Sequence, residues 1–206
     1  MAEYYMMNKP SDCLTACRHP RHSTVMDYFP DELRDNLFHV GRLDKDTEGL
    51  LILTDDGKLC KWLLDPDSLV KKRYFFWALG DINQEECDAI CSGIDIYGDG
   101  NRITSPARIE ILERCTISEI ERNLSRWIDR YSLAHPHIRC FSGILTITEG
   151  KKHQVKRMLR HFGHRVIYLK RVSIGPINLD ENLLPGEYRK LSQSELDSIG
   201  IQQLWS

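Results

Sequence analysis

One short segment places a carboxylate where it could react. In Gly41-Arg42-Leu43-Asp44-Lys45-Asp46-Thr47-Glu48-Gly49-Leu50-Leu51-Ile52-Leu53-Thr54, a polar loop carrying Asp44 lies between two apolar extended pieces, Val40–Leu43 and Gly49–Thr54. A carboxylate on a loop between rigid apolar strands is held where water can be excluded. It can then serve as nucleophile, general base or metal ligand. Residue type alone does not choose among these roles, and a structural turn carboxylate is the plainer reading of an isolated loop Asp. A hydrolase built on Asp44 with Asp46 or Glu48 has only proximity in sequence behind it.

Two further groupings invite chemistry. Cys13, Cys17, His19 and His22 could be drawn as a metal site. However, the histidines sit too close together for a zinc finger and no second cysteine pair completes a ribbon, so they read as loop residues. Cys87 and Cys91 fall one helical turn apart among apolar neighbours and read as buried free thiols. The second grouping is electrostatic. From Lys151 to Arg171 there are eight Lys or Arg and no acid, with His153, His161 and His164 interspersed. Tyr74 to Asn101 has the opposite character, with six acids and no Lys or Arg. A cationic run of this kind is either a solvated helix face or a surface for a polyanion.

The elements that must position these groups can be outlined from periodicity. Tyr4–Lys9 reads as a strand ended by Pro10, and Asp27–Leu37 as a helix broken near Pro30. The apolar run Leu50–Leu53 reads as a strand buried on both faces, followed by a helix over Leu59–Leu64 that stops before Pro66. Arg73–Leu79 is aromatic-rich and strand-like, Gln84–Cys91 is a short helix closed by Gly93, and Ile103–Leu112 is extended around Pro106. Thr116 and Glu119 have capping-box spacing and open a helical pattern running to Tyr131. Ile144–Thr148 is a strand. Val155, Met158, Leu159 and Phe162 then form the apolar stripe of the basic helix, and Val166–Leu169 is a final strand. Strands and helices mix without regular alternation, which predicts an α+β fold with a mixed, mostly antiparallel sheet in two lobes flanked by helices.

Composition sets the frame for these readings. The 206 residues include 28 Lys plus Arg, 30 Asp plus Glu and 41% hydrophobic residues, so a sizeable core can form. With 28% charged residues and only 13 Gly and 8 Pro, collagen-like and disordered classes are excluded. No apolar run approaches the roughly 20 residues of a membrane span. The first ten residues do not read as a secretion signal, and seven cysteines then imply free thiols and a cytoplasmic setting. A net charge of −2 argues against a nucleic-acid partner unless the cations are segregated, as the run at Lys151–Arg171 suggests.

The ordered motifs carry a resemblance. Gly41-Arg42-Leu43-Asp44-x-x-Thr47-x-Gly49-Leu50-Leu51-x-Leu53-Thr54-x-Asp56-Gly57 resembles the catalytic motif of bacterial rRNA pseudouridine synthases. Asn8-Lys9-Pro10, with Pro20-x-His22-x-Thr24-Val25, resembles that family's opening strand and loop. Lys72-Arg73-Tyr74 resembles its Lys-x-Tyr motif, and Glu149-Gly150-Lys151-Lys152-His153-Gln154-Val155-Lys156-Arg157-Met158 its third motif. Leu169-x-Arg171-x-x-Ile174-Gly175 and Leu184-x-Gly186-Glu187-Tyr188-Arg189-x-Leu191 follow its carboxy-terminal pattern.

The resemblance implies an isomerase that detaches uracil from a uridine already in RNA and rejoins it through carbon rather than nitrogen. Asp44 is then the catalytic carboxylate, as nucleophile on the sugar or as helper of a glycal route. Tyr74 stacks on the base, Leu169 closes the apolar side of the pocket, and Lys156 occupies the position where the family usually pairs an Arg with the Asp. Lys cannot reproduce the two-pronged pairing of Arg. Arg42 enters the RNA stack as the base flips out or supports the scaffold. Lys151, Lys152, Arg157 and Arg160 contact RNA. No metal and no cofactor is required.

The His153-Gln154-Val155-Lys156-Arg157-Met158 wording is similar to the RsuA group, which implies 16S rRNA as substrate, either free or within a small-subunit assembly intermediate, and a monomeric enzyme. The expected organisation is a single catalytic domain over residues 1–206 without an S4 RNA-binding domain, with 116–140 as a helical insertion. Two alternatives remain: a synthase acting on large-subunit 23S rRNA, and a catalytically idle RNA-binding or ribosome assembly factor.

Overall fold

The computed structural model describes residues 2–100, 102–120 and 134–200. It divides into two compact units, one formed by residues 1–72 and 170–206, the other by residues 73–169. The chain passes between them inside two strands.

The first unit begins with β1 (Tyr4–Lys9), α1 (Asp31–Arg34), β2 (Phe38–Val40), β3 (Glu48–Thr54) and α2 (Gly57–Leu64). β3 organises it. All seven of its residues are buried, because alternate side chains enter different cores. Leu50 and Ile52 join Met6, Leu59, Leu63 and Ile174, whereas Leu51 and Leu53 join Met7, Val25, Met26 and Phe29. One edge of β3 pairs antiparallel with β1 along its length, from Tyr4↔Thr54 to Lys9↔Gly49. The Asp56 carboxylate caps α2, accepting from the N–H of Lys58 and Leu59 at 2.9 and 3.2 Å.

The second unit holds β4 (Lys72–Leu79, from Arg73 onward), α3 (Gln84–Ser92), β5 (Arg108–Thr116), β6 (Arg139–Ile147), α4 (Gln154–His161) and the opening residues of β7 (Val166–Ile174). Its strands run in the order β5–β6–β4–β7. β5 and β6 are antiparallel, with a bulge between Ile111 and Glu113. Asn83 and Glu86 cap α3 reciprocally and Gly93 closes it. α4 buries Val155, Met158 and Leu159.

The rest of β7 returns to the first unit, followed by β8 (Ile177–Asn178), β9 (Tyr188–Lys190) and α5 (Gln193–Ile199). The other edge of β3 is shared. Its first two residues pair parallel with Lys170 and Arg171 of β7, and its last three pair antiparallel with β2. β9 pairs with β1. The sheet is therefore mixed and mostly antiparallel, and the class is α+β.

Four boundary expectations are corrected. The helix over Asp27–Leu37 is a 3-10 turn, Val25–Tyr28, and the single turn α1. Pro30 forces Phe29 into extended backbone, which separates them. The extended segment expected over Ile103–Leu112 starts only at Arg108, after Pro106, and runs to Thr116. β6 starts at Arg139, five residues before the Ile144 where alternation becomes visible. Val166–Leu169 is only the first part of β7, and two further strands follow it. The Thr116–Glu119 box is present, on the 3-10 turn Ile117–Glu119. The helix expected beyond it lies on residues 121–133, outside those described.

Candidate active site

Asp44 and Arg42 lie in the first unit, on the loop between β2 and β3. The loop is fixed from several sides. Thr15 Oγ1 donates to Leu43 O at 2.9 Å and accepts from Leu43 N at 3.1 Å. Thr47 N donates to Asp44 O at 3.1 Å, closing a turn over the catalytic candidate. His39 Nδ1 donates to Gly41 O at 2.9 Å, and Gly41 takes a φ of 70° that favours glycine. Leu43 and Thr47 are buried, Asp44 is half-buried and Arg42 is exposed. The backbone is thus anchored while Asp44 itself stays half-buried.

Beneath the loop lies a buried lysine. Lys9 has no exposed surface, and its Nζ donates to Pro10 O at 2.9 Å, Lys45 O at 3.2 Å and Thr47 O at 2.9 Å. Three carbonyls take up the three protons of the ammonium. Burial pushes the Lys9 pKa down to about 8, against the pull of Asp46, Glu48 and Asp44 nearby. Where β3 begins, Gly49 lies so close to β7 that a Cβ there would sit 2.2 Å from Arg171 O. Arg171, itself buried, donates from Nε to Leu50 O at 2.8 Å. Lys72 is also buried, donates to Val70 O at 3.1 Å, and is lowered by burial and by the Arg171 charge.

The remaining candidates lie in the second unit. Tyr74 is on β4 and Leu169 on β7, both buried and on strands adjacent in the sheet order. Lys156, Arg157 and Arg160 are on α4, with Lys151 and Lys152 in the turn before it. Arg157 and Lys156, neighbours in sequence, are distinguished here: the Arg157 guanidinium lies 4.2 Å from the Tyr97 ring centroid. Lys151 pairs with Glu149 and also donates to Ile103 O at 3.3 Å, so its charge is offset locally. Lys152 and Arg160 are exposed. Gln154 is buried as a structural amide: it accepts from Lys151 N at 2.9 Å and donates to Glu149 at 2.7 Å.

The cysteine–histidine loop does not converge. Cys13 is buried and its thiol is raised by burial, whereas Cys17 is exposed. His19 Nδ1 accepts from the N–H of Arg21 and His22, a turn-capping role. Among the described residues no three His, Cys, Asp or Glu side chains are grouped to hold a metal.

The first unit thus carries a half-buried carboxylate loop clamped by a buried lysine, and the second carries Tyr74 and Leu169 on neighbouring strands beside a cationic helix, in the order of the sequence motifs. The model of the RNA pseudouridylate synthase family matches residues 3–161. The chain belongs to that family. Members are isomerases of uridine in RNA, and relatives extend the match across nearly the whole chain. An RNA pseudouridine synthase of Bacillus subtilis, YtzG, is 42% identical over 97% of this chain and 74% of its own length. Ribosomal small subunit pseudouridine synthase A of Pseudomonas aeruginosa is 37% identical over 96% of this chain and 74% of its own. A crystal structure of a pseudouridylate synthase superposes with a TM-score of 0.79 at 33% identity, covering 97% of this chain and 74% of the other.

Two contacts in this pseudouridine synthase, one in each unit, were not legible from spacing. The reach of Lys9 to the loop follows Asp44 only in three dimensions, although a lone cation closing an apolar strand was a usable signal. The contact of Tyr97 with Arg157 joins distant segments, and nothing in either one points to it.

Proposed function

We propose that this chain converts a uridine of small-subunit 16S rRNA to pseudouridine, with Asp44 as the catalytic carboxylate. The observation that carries the reading is the Gly41–Thr47 loop, whose backbone is held by Thr15, His39 and Lys9 while Asp44 remains partly open to solvent. Such anchoring favours a group that must meet one atom of a flipped nucleoside in one geometry. The substrate is supported by the Pseudomonas relative, whose name specifies the small ribosomal subunit.

In this account Asp44 attacks the sugar C1′ and displaces uracil, or removes a sugar proton so that a glycal forms, and Tyr74 and Leu169 hold the freed base until its C5 bonds to C1′. The carboxylate is then expelled or the glycal reprotonated, the C5 proton is lost and N1 takes one up. Uracil is both leaving group and returning nucleophile, so the chemistry asks for an ionised carboxylate and a dry pocket. Lys156 holds the position where the family's Arg accompanies the carboxylate, Arg42 fills the stack left by the flipped base, and Lys152, Arg157 and Arg160 hold phosphates. The enzyme acts as a cytoplasmic monomer on RNA within an assembling subunit. No helix among the described residues is long and apolar enough to cross a membrane.

Asp44→Asn tests this directly. Pseudouridine formation on 16S rRNA should fall by a factor on the order of 10⁴ or more, with an unchanged melting temperature. Substantial activity in that variant would remove Asp44 from the mechanism. RNA binding without isomerisation by the unaltered protein would return the chain to an assembly-factor role.

A further inference from the structure

Between α3 and β5 the chain makes a tight excursion, described over residues 94–100 and 102–104. Its base is closed by Thr104 N donating to Ile94 O at 2.9 Å and by Ile94 N donating to Thr104 Oγ1 at 3.0 Å. The Asp95 carboxylate accepts from the N–H of Tyr97 and Gly98, each at 3.0 Å, and of Gly100. Asp99 is bound by Arg102. Both acids are therefore engaged inside the loop.

Two guanidinium groups share the Tyr97 ring. Arg102 Cζ lies 3.8 Å from its centroid and Arg157 Cζ lies 4.2 Å from it. They differ in what else they touch. Arg102 is neutralised by Asp99, whereas Arg157 meets no carboxylate and donates no side-chain hydrogen bond among the described residues. The loop is also tied to the approach of α4, through Lys151 Nζ to Ile103 O and through Ser105 N to Glu149 Oε1 at 2.9 Å. Tyr97 and Arg157 are thus held together by attachments independent of their own contact. A guanidinium resting on an aromatic face keeps its in-plane N–H groups available, and that planar fork matches phosphate oxygens. Lys152 in the turn before α4 and Arg160 on α4, both exposed, add to the cationic surface.

We propose that Tyr97 is a positioning residue that presets the Arg157 guanidinium for an RNA phosphate, making the 94–104 loop part of the RNA-binding face of the second unit. The identity of the partner rests on the RNA-modifying function proposed above. The role of the loop is to spare Arg157 the ordering it would otherwise undergo on binding, so the effect belongs to binding and not to the chemical step.

The test compares Tyr97→Ala, Tyr97→Phe, Arg157→Gln and the Tyr97→Ala/Arg157→Gln double variant. Binding to an unmodified 16S rRNA transcript is measured over a salt series, alongside kcat, KM and melting temperature. Tyr97→Ala should weaken binding and raise KM by about three- to tenfold with kcat within about twofold, and Tyr97→Phe should restore both. Arg157→Gln should lower the slope of log affinity against log salt by about one, and the double variant should bind no more weakly than Arg157→Gln alone. The proposal is overturned if Tyr97→Ala binds as the unaltered protein does, or if Tyr97→Phe is equally impaired. It is also overturned if Arg157→Gln changes the melting temperature but neither affinity nor salt slope. Binding is read without turnover, so a protein that shows this pattern but makes no pseudouridine contradicts the isomerase assignment and leaves the positioning role standing.

Discussion

The Lys9 ammonium gives its protons to the carbonyls of Pro10, Lys45 and Thr47, and two of these lie just beyond Asp44. A neutral amine has only two N–H groups, so deprotonation leaves one carbonyl unmet and loosens the turn that aims Asp44. With the Lys9 pKa lowered to about 8 by burial, isomerisation should decline as pH rises through that value. Stability should move the other way. Between about pH 8 and the ordinary lysine value of 10.5, the unfolded chain binds a proton that the folded chain has lost, so this group's contribution to stability rises with pH. A pH–rate profile and thermal melts over the same alkaline range check both signs, and parallel loss of activity and stability would contradict the assignment. Lys9→Met, which removes the donors but keeps much of the volume, should cost about 1–3 kcal/mol in chemical denaturation.

At the scale of elements, the position of the loop depends on how closely β3 approaches β7. Gly49 has a φ of 101° and would bring a Cβ to 2.2 Å from Arg171 O, so Gly49→Ala must push the parallel pair apart. Denaturant titration should show a loss of about 3 kcal/mol or more, with activity lost as well, because Thr47 moves with the strand. A variant as stable as the parent would mean that the pair yields easily. The same strands show what local pattern can and cannot reveal. The apolar run Leu50–Leu53 announced β3 because both of its faces are buried, and Gly93 marked the end of α3 because capping chemistry is local. The break at Phe29–Pro30 and the early start of β6 depend on neighbours in space. Arg139, Ser142 and Gly143 do not read as strand, yet Cys140 and Phe141 between them are buried against the rest of the unit. α5 did carry a local signal, the Ser192–Glu195 box, which the structure realises with Arg189 held on Glu195 by two 2.8 Å bonds. The loop carrying Asp44 stood out as a motif, whereas the Lys9 bonds to the carbonyls of Lys45 and Thr47 and the Tyr97–Arg157 contact each join distant segments.

For the whole molecule, a net charge of −2 conceals how the charges are used. In the second unit many acids are already engaged: Asp81 pairs with Arg114 and Arg139, Glu86 with His164, Asp99 with Arg102 and Glu149 with Lys151. Lys152, Arg157 and Arg160 have no such partner among the described residues, which leaves the field around α4 positive on a nearly neutral chain. Membership in the pseudouridylate synthase family gives that field its partner, and the small ribosomal subunit is the proposed target. The most direct measurement is a pseudouridine map of all ribosomal RNA from cells lacking this protein, and from the same cells given back either the unaltered chain or Asp44→Asn. The account predicts that one 16S pseudouridine disappears, returns with the unaltered chain and stays absent with Asp44→Asn. An unchanged 16S map, or a lost site in 23S rRNA instead, would contradict it.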